Sequence, residues 1–277
     1  MERQERRSRI ILFFAFLITL VCLGLIGGAF GSDFWVTSGV VQNSLDNRAS
    51  DTGYAHHGLF KGEASWKSLL VKMDNNIAIN CTAATRICRY DAINKDGRPT
   101  IVIPTNEEDW NLQDFCSSAM PSATGIFAKP AEINFWAWIA IVVFLSLALL
   151  FALVAAVFTM INVLYVPISD IAGIRGIYVW NVAAGVCTLV ALLIWVGLYY
   201  TRFVYNVLPP WNRFRYSLTT CGLASHGPAV WMLVAAIVLF LLNILLIRLR
   251  RRSRITIRRS SVHVRNYNGK GHSETLY

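Results

Sequence analysis

The sequence predicts an all-α membrane fold: a bundle of four transmembrane helices with a small extracellular antiparallel β-sheet in the first loop. Four apolar runs of about 20 residues or more lack Asp, Glu, Lys and Arg, which is long enough to cross a hydrocarbon core of about 30 Å. In lipid such runs must satisfy their backbone groups internally, so they are expected to be helices. The 277 residues are 55% hydrophobic and only 15% charged, with mean hydropathy +0.46.

The polar and apolar segments alternate in a way that predicts the order of the chain. Two polar segments separate helices on the extracellular side, and one short turn separates them on the cytoplasmic side. The expected segments are an N-terminus 1–9, helix one 10–31, a large extracellular loop 32–132, helix two 133–163, a cytoplasmic turn 164–176, helix three 177–200, a second extracellular loop 201–228, helix four 229–247 and a basic cytoplasmic tail 248–277.

The location of the charge predicts the orientation. The formal net charge is +10, but the basic residues cluster before helix one and after helix four, whereas the acidic residues lie mostly in the large loop. The positive-inside rule therefore predicts cytoplasmic N- and C-termini for a multi-pass plasma-membrane protein. This distribution argues against nucleic acid as a partner. A cleaved signal peptide over 1–31 is the alternative, but its apolar run is longer than a usual signal core.

The large loop is too long to be a simple connector, so it is expected to carry its own secondary structure. β-prone stretches at 77–83, 87–90 and 100–103, separated by Asn, Asp, Gly and Pro, predict the antiparallel sheet. The tail is expected to be disordered because it is basic and polar.

Small and amide residues stand out within the apolar runs. Gly24 and Gly28, like Gly27 and Gly31, are four apart, which favours close helix packing within the bundle over a homodimer contact. Asn181 and Asn243 are expected to hydrogen-bond neighbouring helices rather than bind an ion. No acidic or basic residue lies at mid-membrane depth of the expected helices, which argues against a transporter or pump.

Four cysteines are expected on the oxidising side, where disulfides persist: Cys81, Cys88, Cys116 and Cys221. They allow three pairings. Cys81–Cys88 within the sheet is favoured, with Cys116–Cys221 joining the two loops as a weaker expectation. No His stands at ligand spacing from them, so a zinc site is disfavoured and no metal is expected.

Asn80-Cys81-Thr82 matches the N-glycosylation sequon. The sequon lies in the expected extracellular loop and predicts a glycan on Asn80. Disulfide formation at Cys81 competes with glycosylation, which leaves occupancy open.

Short motifs, in order along the chain, carry a family resemblance. Trp35 after helix one, then Gly58-Leu59-Phe60 and two cysteines, resembles the claudin-like superfamily, with Phe60 where claudins have Trp. The sequence resembles clarins more closely. The residues that carry this resemblance are Gly58, Leu59, Phe60, Gly62, Glu63, the segment Gly173-Ile174-Arg175-Gly176-Ile177-Tyr178, Asn243 and Arg248 near the end of helix four, and the terminal Leu276-Tyr277.

Physical roles can be assigned to the members of this set. Gly58 and Gly62 suit turns, and Leu59 and Phe60 can anchor the loop to the bundle by burying apolar surface. Arg248 is expected to extend towards lipid headgroups. The histidine pair His56-His57 is expected to be a solvated loop pair rather than a metal site.

The tail predicts two interactions. Clustered arginines beside a membrane attract anionic inner-leaflet lipids. The residues are Arg250, Arg251, Arg252, Arg254, Arg258 and Arg259. The terminal Thr275, Leu276 and Tyr277 resemble a PDZ ligand, which would add a strand to a sheet edge of a scaffold protein. An unstructured end is the alternative.

No arrangement of nucleophile, base and carboxylate is apparent, so neither an enzyme nor a cofactor is expected. The clarin resemblance implies a plasma-membrane organiser or adaptor of sensory-cell or synaptic membranes and cortical actin. The alternatives are an accessory subunit of an ion channel and a claudin-like adhesion protein. Oligomeric state and the identity of the partner proteins remain open.

Overall fold

The structure is a computed structural model that describes residues 2–42, 51–68, 71–93, 133–164, 173–204, 207–209, 212, 218–220 and 222–270. In chain order its elements are α1 (Glu2–Gly31), β1 (Val36–Gln42), β2 (Asp51–His57), β3 (Lys61–Ser68), β4 (Val71–Thr82), β5 (Ile87–Ile93), β6 (Ile133–Asn134), α2 (Phe135–Leu164), α3 (Ile174–Leu198), a π-helix (Tyr199–Phe203), β7 (Leu218–Thr219), β8 (Ala224–His226) and α4 (Pro228–Lys270).

Within these ranges, four helical segments are long and apolar enough to cross a membrane: Arg9–Gly31, Phe135–Leu164, Arg175–Phe203 and Pro228–Leu249. The four-helix prediction is confirmed in this sense. The helices extend past the apolar runs at both ends of the chain. α1 begins at Glu2, and α4 continues through the basic segment to Lys270.

The prediction of a disordered tail is therefore wrong as far as Lys270. A helix already started by an apolar span adds one hydrogen bond for each residue fixed, without a new nucleation cost. Arginine is also among the better helix formers. Residues 271–277, including Thr275, Leu276 and Tyr277, lie outside the described residues.

The sheet is antiparallel and larger than the sequence suggests. In the described part of the chain it has eight strands in the order β6-β5-β4-β3-β2-β1-β7, with β8 also paired to β1. The expected strands near 77–83 and 87–90 correspond to β4 and β5, and 100–103 lies outside the described residues. β7 and β8 come from beyond the first loop, which corrects the prediction that the first loop alone builds the sheet.

Alternation along the strands gives the sheet one apolar and one polar face. Val36, His57, Gly62, Ile77 and Ala92 lie in register on one face. All except Gly62, which has no side chain, are buried. The next residue on each strand faces the other way, so the facing row is Thr37, His56, Glu63, Asn76 and Ile93.

The described chain forms two compact units. One comprises Met1–Gly24, Ala148–Val186 and Ala236–Tyr277, and the elements described within it are helices. The other comprises Leu25–Leu147 and Cys187–Ala235, which holds the sheet and the helix ends adjoining it. Each unit has its own buried residues, and we refer to them as the helical unit and the sheet unit.

Candidate interaction site

The segment 58–63 lies at the β2–β3 turn of the sheet unit. The Gly58 amide donates to the Lys61 carbonyl at 2.8 Å, which closes the turn. A Cβ at Gly58 would collide with the backbone of Ser32, just after α1. Gly62 instead lies in β3, where a Cβ would collide with the backbone of His56. The prediction of a turn holds for Gly58, whereas Gly62 is required by close strand packing.

Leu59 and Phe60 attach this turn to the helices. Leu59 is fully buried, and its carbonyl accepts a hydrogen bond from the Trp138 indole at 2.9 Å. The Phe60 ring meets the edges of Phe30 in α1 and Trp138 in α2, with centroids 5.4 Å and 6.1 Å away. The turn therefore anchors the sheet to two helices, by burial and by a hydrogen bond.

Trp35 makes a second attachment at the start of β1. Its indole N–H donates to the Ala29 carbonyl in the last turns of α1 at 2.7 Å, and its ring is fully buried. The ring packs at 4.7 Å against Trp195 of α3. The Trp35 carbonyl accepts from the Gly227 amide at 2.9 Å, which ties β1 to the start of α4.

A ring cluster fills the space under the buried face of the sheet. His57 lies 4.2 Å from the Tyr90 ring and 4.8 Å from Phe203, which itself stacks on Trp195. The Tyr90 hydroxyl donates to the Gly58 carbonyl at 2.9 Å. The expectation of a solvated His56-His57 pair is wrong, because β2 turns His57 into this cluster and both rings are buried.

Burial governs the titration of this cluster. It lowers the pKa of His57 to about 3, opposed in part by the hydrogen bond to the Gly58 carbonyl, with a lesser lowering from neighbouring His56. The pKa of Tyr90 is raised by the same loss of hydration. Both side chains are therefore neutral across the physiological range and act as packing groups.

His226 in β8 is a second histidine of this type. Its ring lies 3.8 Å from the ring of Tyr199, whose hydroxyl donates to the Ala224 carbonyl at 2.8 Å. Burial lowers the pKa of His226. These contacts hold β8 against the π-helix that ends α3.

The facing side of the sheet is polar and carries a stacked ladder. His56 lies between Phe34, at 4.1 Å, and Tyr54, at 6.0 Å, and its Nε2 is 3.9 Å from a Glu63 carboxylate oxygen. Nearby, Lys61 pairs with Asp33 at 3.1 Å. Glu63 thus belongs to this polar face rather than to the anchor formed by Leu59 and Phe60.

At the other end of β4, Lys72 and Asp74 pair at 3.1 Å in solvent. The hydrogen bond that Lys72 donates to the Asp74 carboxylate raises the pKa of Lys72. The pKa of Asp74 is lowered, first by a hydrogen bond from Ser65 and then by Lys72. Solvent screens such an exposed pair, so it marks a polar surface more than a source of stability.

Cys81 and Cys88 form a disulfide between opposed residues of β4 and β5, the pairing that the sequence favours. Asn80, one residue earlier, is exposed on β4 with Arg89 opposite it. Glycosylation of Asn80 stays a prediction. Cys116 and Cys221 lie outside the described residues.

In the helical unit, a buried polar cluster joins three helices. The Asn243 amide donates to Thr19 Oγ1 of α1 at 2.9 Å and to Asn181 Oδ1 of α3 at 2.8 Å. Asn181 in turn donates to the Ile177 carbonyl at 2.8 Å. The structure thus places both asparagines in the interhelical role expected from the sequence. Thr19 was not anticipated, since a hydroxyl in an apolar run can satisfy itself on its own helix.

Arg248 also has a protein partner. It donates to the Tyr178 hydroxyl at 2.6 Å, and its guanidinium carbon lies 5.3 Å from that ring's centroid. The prediction that Arg248 extends towards lipid headgroups is therefore wrong, because its guanidinium contacts Tyr178 instead. Two residues that carry the clarin resemblance thereby connect α3 to α4. The six arginines of the tail lie in the continued α4.

The glycine pairs in α1 behave unequally. A Cβ at Gly28 would come within 2.7 Å of the Met232 side chain in α4, whereas Gly24 and Gly31 have open space around them. Close intramolecular packing therefore accounts for Gly28 alone among these three.

The four apolar helices and their interhelical polar contacts define a multi-pass membrane protein. Residues 126–247 match the family model described as Clarin-2: Clarin-2-like. This match covers α2, α3 and the membrane-spanning part of α4 to residue 247, and it supports the clarin resemblance found in the sequence. No curated protein matches the chain.

Proposed function

We propose that the protein is a clarin-like organiser of the plasma membrane that works by binding rather than by catalysis. The observation that carries this proposal is the attachment of the sheet. Trp35 and Leu59 attach one face of the sheet to the helix ends, and this attachment fixes the orientation of the opposite face. A rigid polar surface on a membrane base suits a docking role, because little conformational freedom is lost on binding.

The polar row supplies the docking surface. Thr37, Glu63 and Asn76 lie in one register row, with the buried His56 between Thr37 and Glu63, and they offer hydroxyl, carboxylate and amide groups. We place this surface outside the cell, in contact with the ectodomain of another membrane protein. Support comes from the charge asymmetry of the sequence and from the disulfide in the same sheet.

On the cytoplasmic side, the basic part of α4 would bind anionic lipids, and Thr275, Leu276 and Tyr277 would engage a PDZ scaffold. Such a bridge would connect an extracellular partner to cortical actin in sensory-cell or synaptic membranes. The clarin family match supports this setting, since the resemblance implies it.

Proximity labelling with the full-length protein tests the proposal. A labelling enzyme in the first loop and another at the C-terminus should mark different neighbours, membrane proteins in one case and scaffold or actin-binding proteins in the other. Glu63→Arg should remove neighbours of the first set. Lys67→Glu, a charge reversal on the same face four residues further along β3, is the matched control.

Four outcomes would redirect the interpretation. One stoichiometric pore-forming neighbour would indicate a channel subunit, and enrichment only at cell contacts would indicate adhesion. The docking surface would be rejected if the loop label marked the same neighbours in the wild type, in Glu63→Arg and in an unrelated four-pass protein. Staining of intact cells through a C-terminal tag would reject the orientation.

A further inference from the structure

The tip of the β4–β5 hairpin, residues 83–86, lies beside the start of a membrane span. The Phe135 amide, at the first residue of α2, donates to the Arg86 carbonyl at 3.1 Å. β6 continues this contact, with Asn134 opposite Ile87 and Ile133 opposite Cys88. Because the span begins at Phe135, these hydrogen bonds bring the tip near the depth where hydrocarbon gives way to headgroups.

Trp136 marks this depth independently. Its side chain is 60% exposed, although it is large and apolar, and its amide is capped by Asn134 Oδ1 at 2.9 Å. Exposed tryptophans at the ends of membrane helices lie in the headgroup layer, where an apolar ring with one polar edge is best solvated. The hairpin tip and Trp136 therefore face the same layer.

Arg86 has an unusual backbone. Its φ is 56°, and it is the one non-glycine residue with positive φ among those the structure describes. Glycine or asparagine usually occupies such a position, because a larger side chain is disfavoured there. An arginine that tolerates this conformation suggests a use for its side chain.

The composition and rigidity of the tip suit a lipid contact. Ala83, Ala84 and Thr85 are small, all four tip residues are exposed, and none is acidic. The Cys81–Cys88 disulfide and the Thr85 hydroxyl, which donates to the Thr82 carbonyl at 3.3 Å, restrain the hairpin. A guanidinium held at this depth can bind phosphate oxygens in a bidentate manner.

We propose that residues 83–86 form a lipid-binding tip, in which Arg86 binds the phosphate of phospholipid headgroups in the leaflet nearest the sheet. The tip would hold the edge of the sheet at the membrane surface, separately from the anchor at Leu59 and Phe60. This site does not depend on the docking role proposed above.

Depth-dependent quenching in nanodiscs tests the inference on the full-length protein. A fluorescent amino acid would be introduced at Thr85 by stop-codon suppression, with the same probe at Lys72 as the control. Lys72 is exposed and ten residues from Thr82 along β4, about 33 Å at the usual rise per residue. A headgroup spin label should quench the Thr85 probe severalfold more strongly than the Lys72 probe.

Arg86→Gly separates the side chain from the fold, because glycine adopts φ 56° without strain. It should keep the disulfide, checked by mass spectrometry, but reduce the quenching at Thr85 severalfold, because the tip loses its guanidinium–phosphate contact and moves away from the headgroups. Arg86→Lys should retain most of the quenching at Thr85. Inorganic phosphate at millimolar concentration should not compete, since the lipid is already held at the site.

Equal quenching at Thr85 and Lys72 would overturn the inference, as would an unchanged signal in Arg86→Gly. Neither result would bear on the proximity-labelling experiment, which reads the opposite end of the polar face and the tail.

Discussion

In the helical unit, hydrogen bonds between side-chain amide and hydroxyl groups join three helices. In the sheet unit, packed aromatic and histidine rings fill the interior instead. In the helical unit Asn243 hydrogen-bonds Thr19 and Asn181, and in the sheet unit the rings of His57, Tyr90 and Phe203 pack together. Lipid supplies no hydrophobic force between helices, so polar contacts and close packing must hold them. The sheet faces water on one side, so burial of its apolar face provides the driving force.

This difference predicts how each region responds to perturbation. Rings buried by the hydrophobic effect should be sensitive to cavities and to charge. Hydrogen bonds in a bilayer should contribute modestly, because a partly separated bundle also finds partners for its polar groups.

Trp35→Ala should have the largest effect. It removes a fully buried ring and the hydrogen bond to Ala29, so we expect the sheet to lose about 3–5 kcal/mol of unfolding free energy. Amide hydrogen exchange of β1–β3 in nanodiscs measures this loss. Tyr54→Ala, on the exposed face of β2, is the control and should change exchange little. Equal effects would show that the ring cluster does not hold the sheet.

Acid pH should have the second-largest effect on the stability of the sheet. His57 titrates near 3 when folded and near 6.5 when unfolded, so its contribution is fully present above pH 6.5 and is lost as the pH falls from 6.5 towards 3. At pH 5 we expect a loss of about 2 kcal/mol. Burial also lowers the pKa of His226, so its protonation at acid pH destabilises the sheet as well.

Thermal unfolding of the sheet at pH 7.5 and pH 5, monitored by tryptophan fluorescence, measures this dependence. His57→Gln should flatten most of it and leave the smaller part due to His226. A steep acid loss that persists in His57→Gln would contradict the assignment.

Asn243→Ala should weaken the helical unit by about 1–2 kcal/mol, since two interhelical bonds at roughly 0.6 kcal/mol each are removed together with some packing. A double-mutant cycle with Thr19→Val, monitored by SDS unfolding in mixed micelles, isolates one bond. Ser146→Ala is the control, because its hydroxyl donates to its own helix at Val142. A coupling of zero would show that the cluster does not hold these helices together.

Tyr178→Phe should have the smallest effect, a few tenths of a kcal/mol. It deletes the hydroxyl that accepts from Arg248 but keeps the ring for the cation–π contact, which is itself about 0.5–1 kcal/mol at exposed sites. The same SDS titration measures it, and Tyr178→Ala should cost more. If the two variants matched, the ring would make no contribution.

Apolar length was enough to predict the four membrane helices, and β-prone stretches between turn residues predicted the two strands of the disulfide hairpin. β2 and β3 were missed because their sequences, with Gly53, Gly62, His56 and Lys61, lack a run of β-branched residues. Their glycines are needed where backbones approach closely, a demand that only neighbouring strands create. β7 and β8 were missed because they are two and three residues long and their partner β1 is distant in sequence.

The same limit applies to the site. Asn243 and Asn181 stood out because an amide in an apolar span needs a partner, whereas nothing local separates His57, which faces the ring cluster, from His56, which faces the other side of the sheet. The register of β2 sets that difference, since a shift of one residue would exchange His56 and His57. Arg86 gave no signal in the sequence, because its role depends on where β6 brings the start of α2.

The π-helix at Tyr199–Phe203 has a consequence for how the end of α3 can change. The Val204 amide reaches back five residues to the Tyr199 carbonyl at 3.0 Å, so this turn holds one residue more than an α-helical turn. A one-residue deletion within it would return the backbone to ordinary α-helical winding, so the residues after the turn would keep close to their present orientation. A one-residue deletion in the regular part of α3 would instead rotate everything after it by about 100°, so this turn is where the end of α3 best tolerates the loss of one codon.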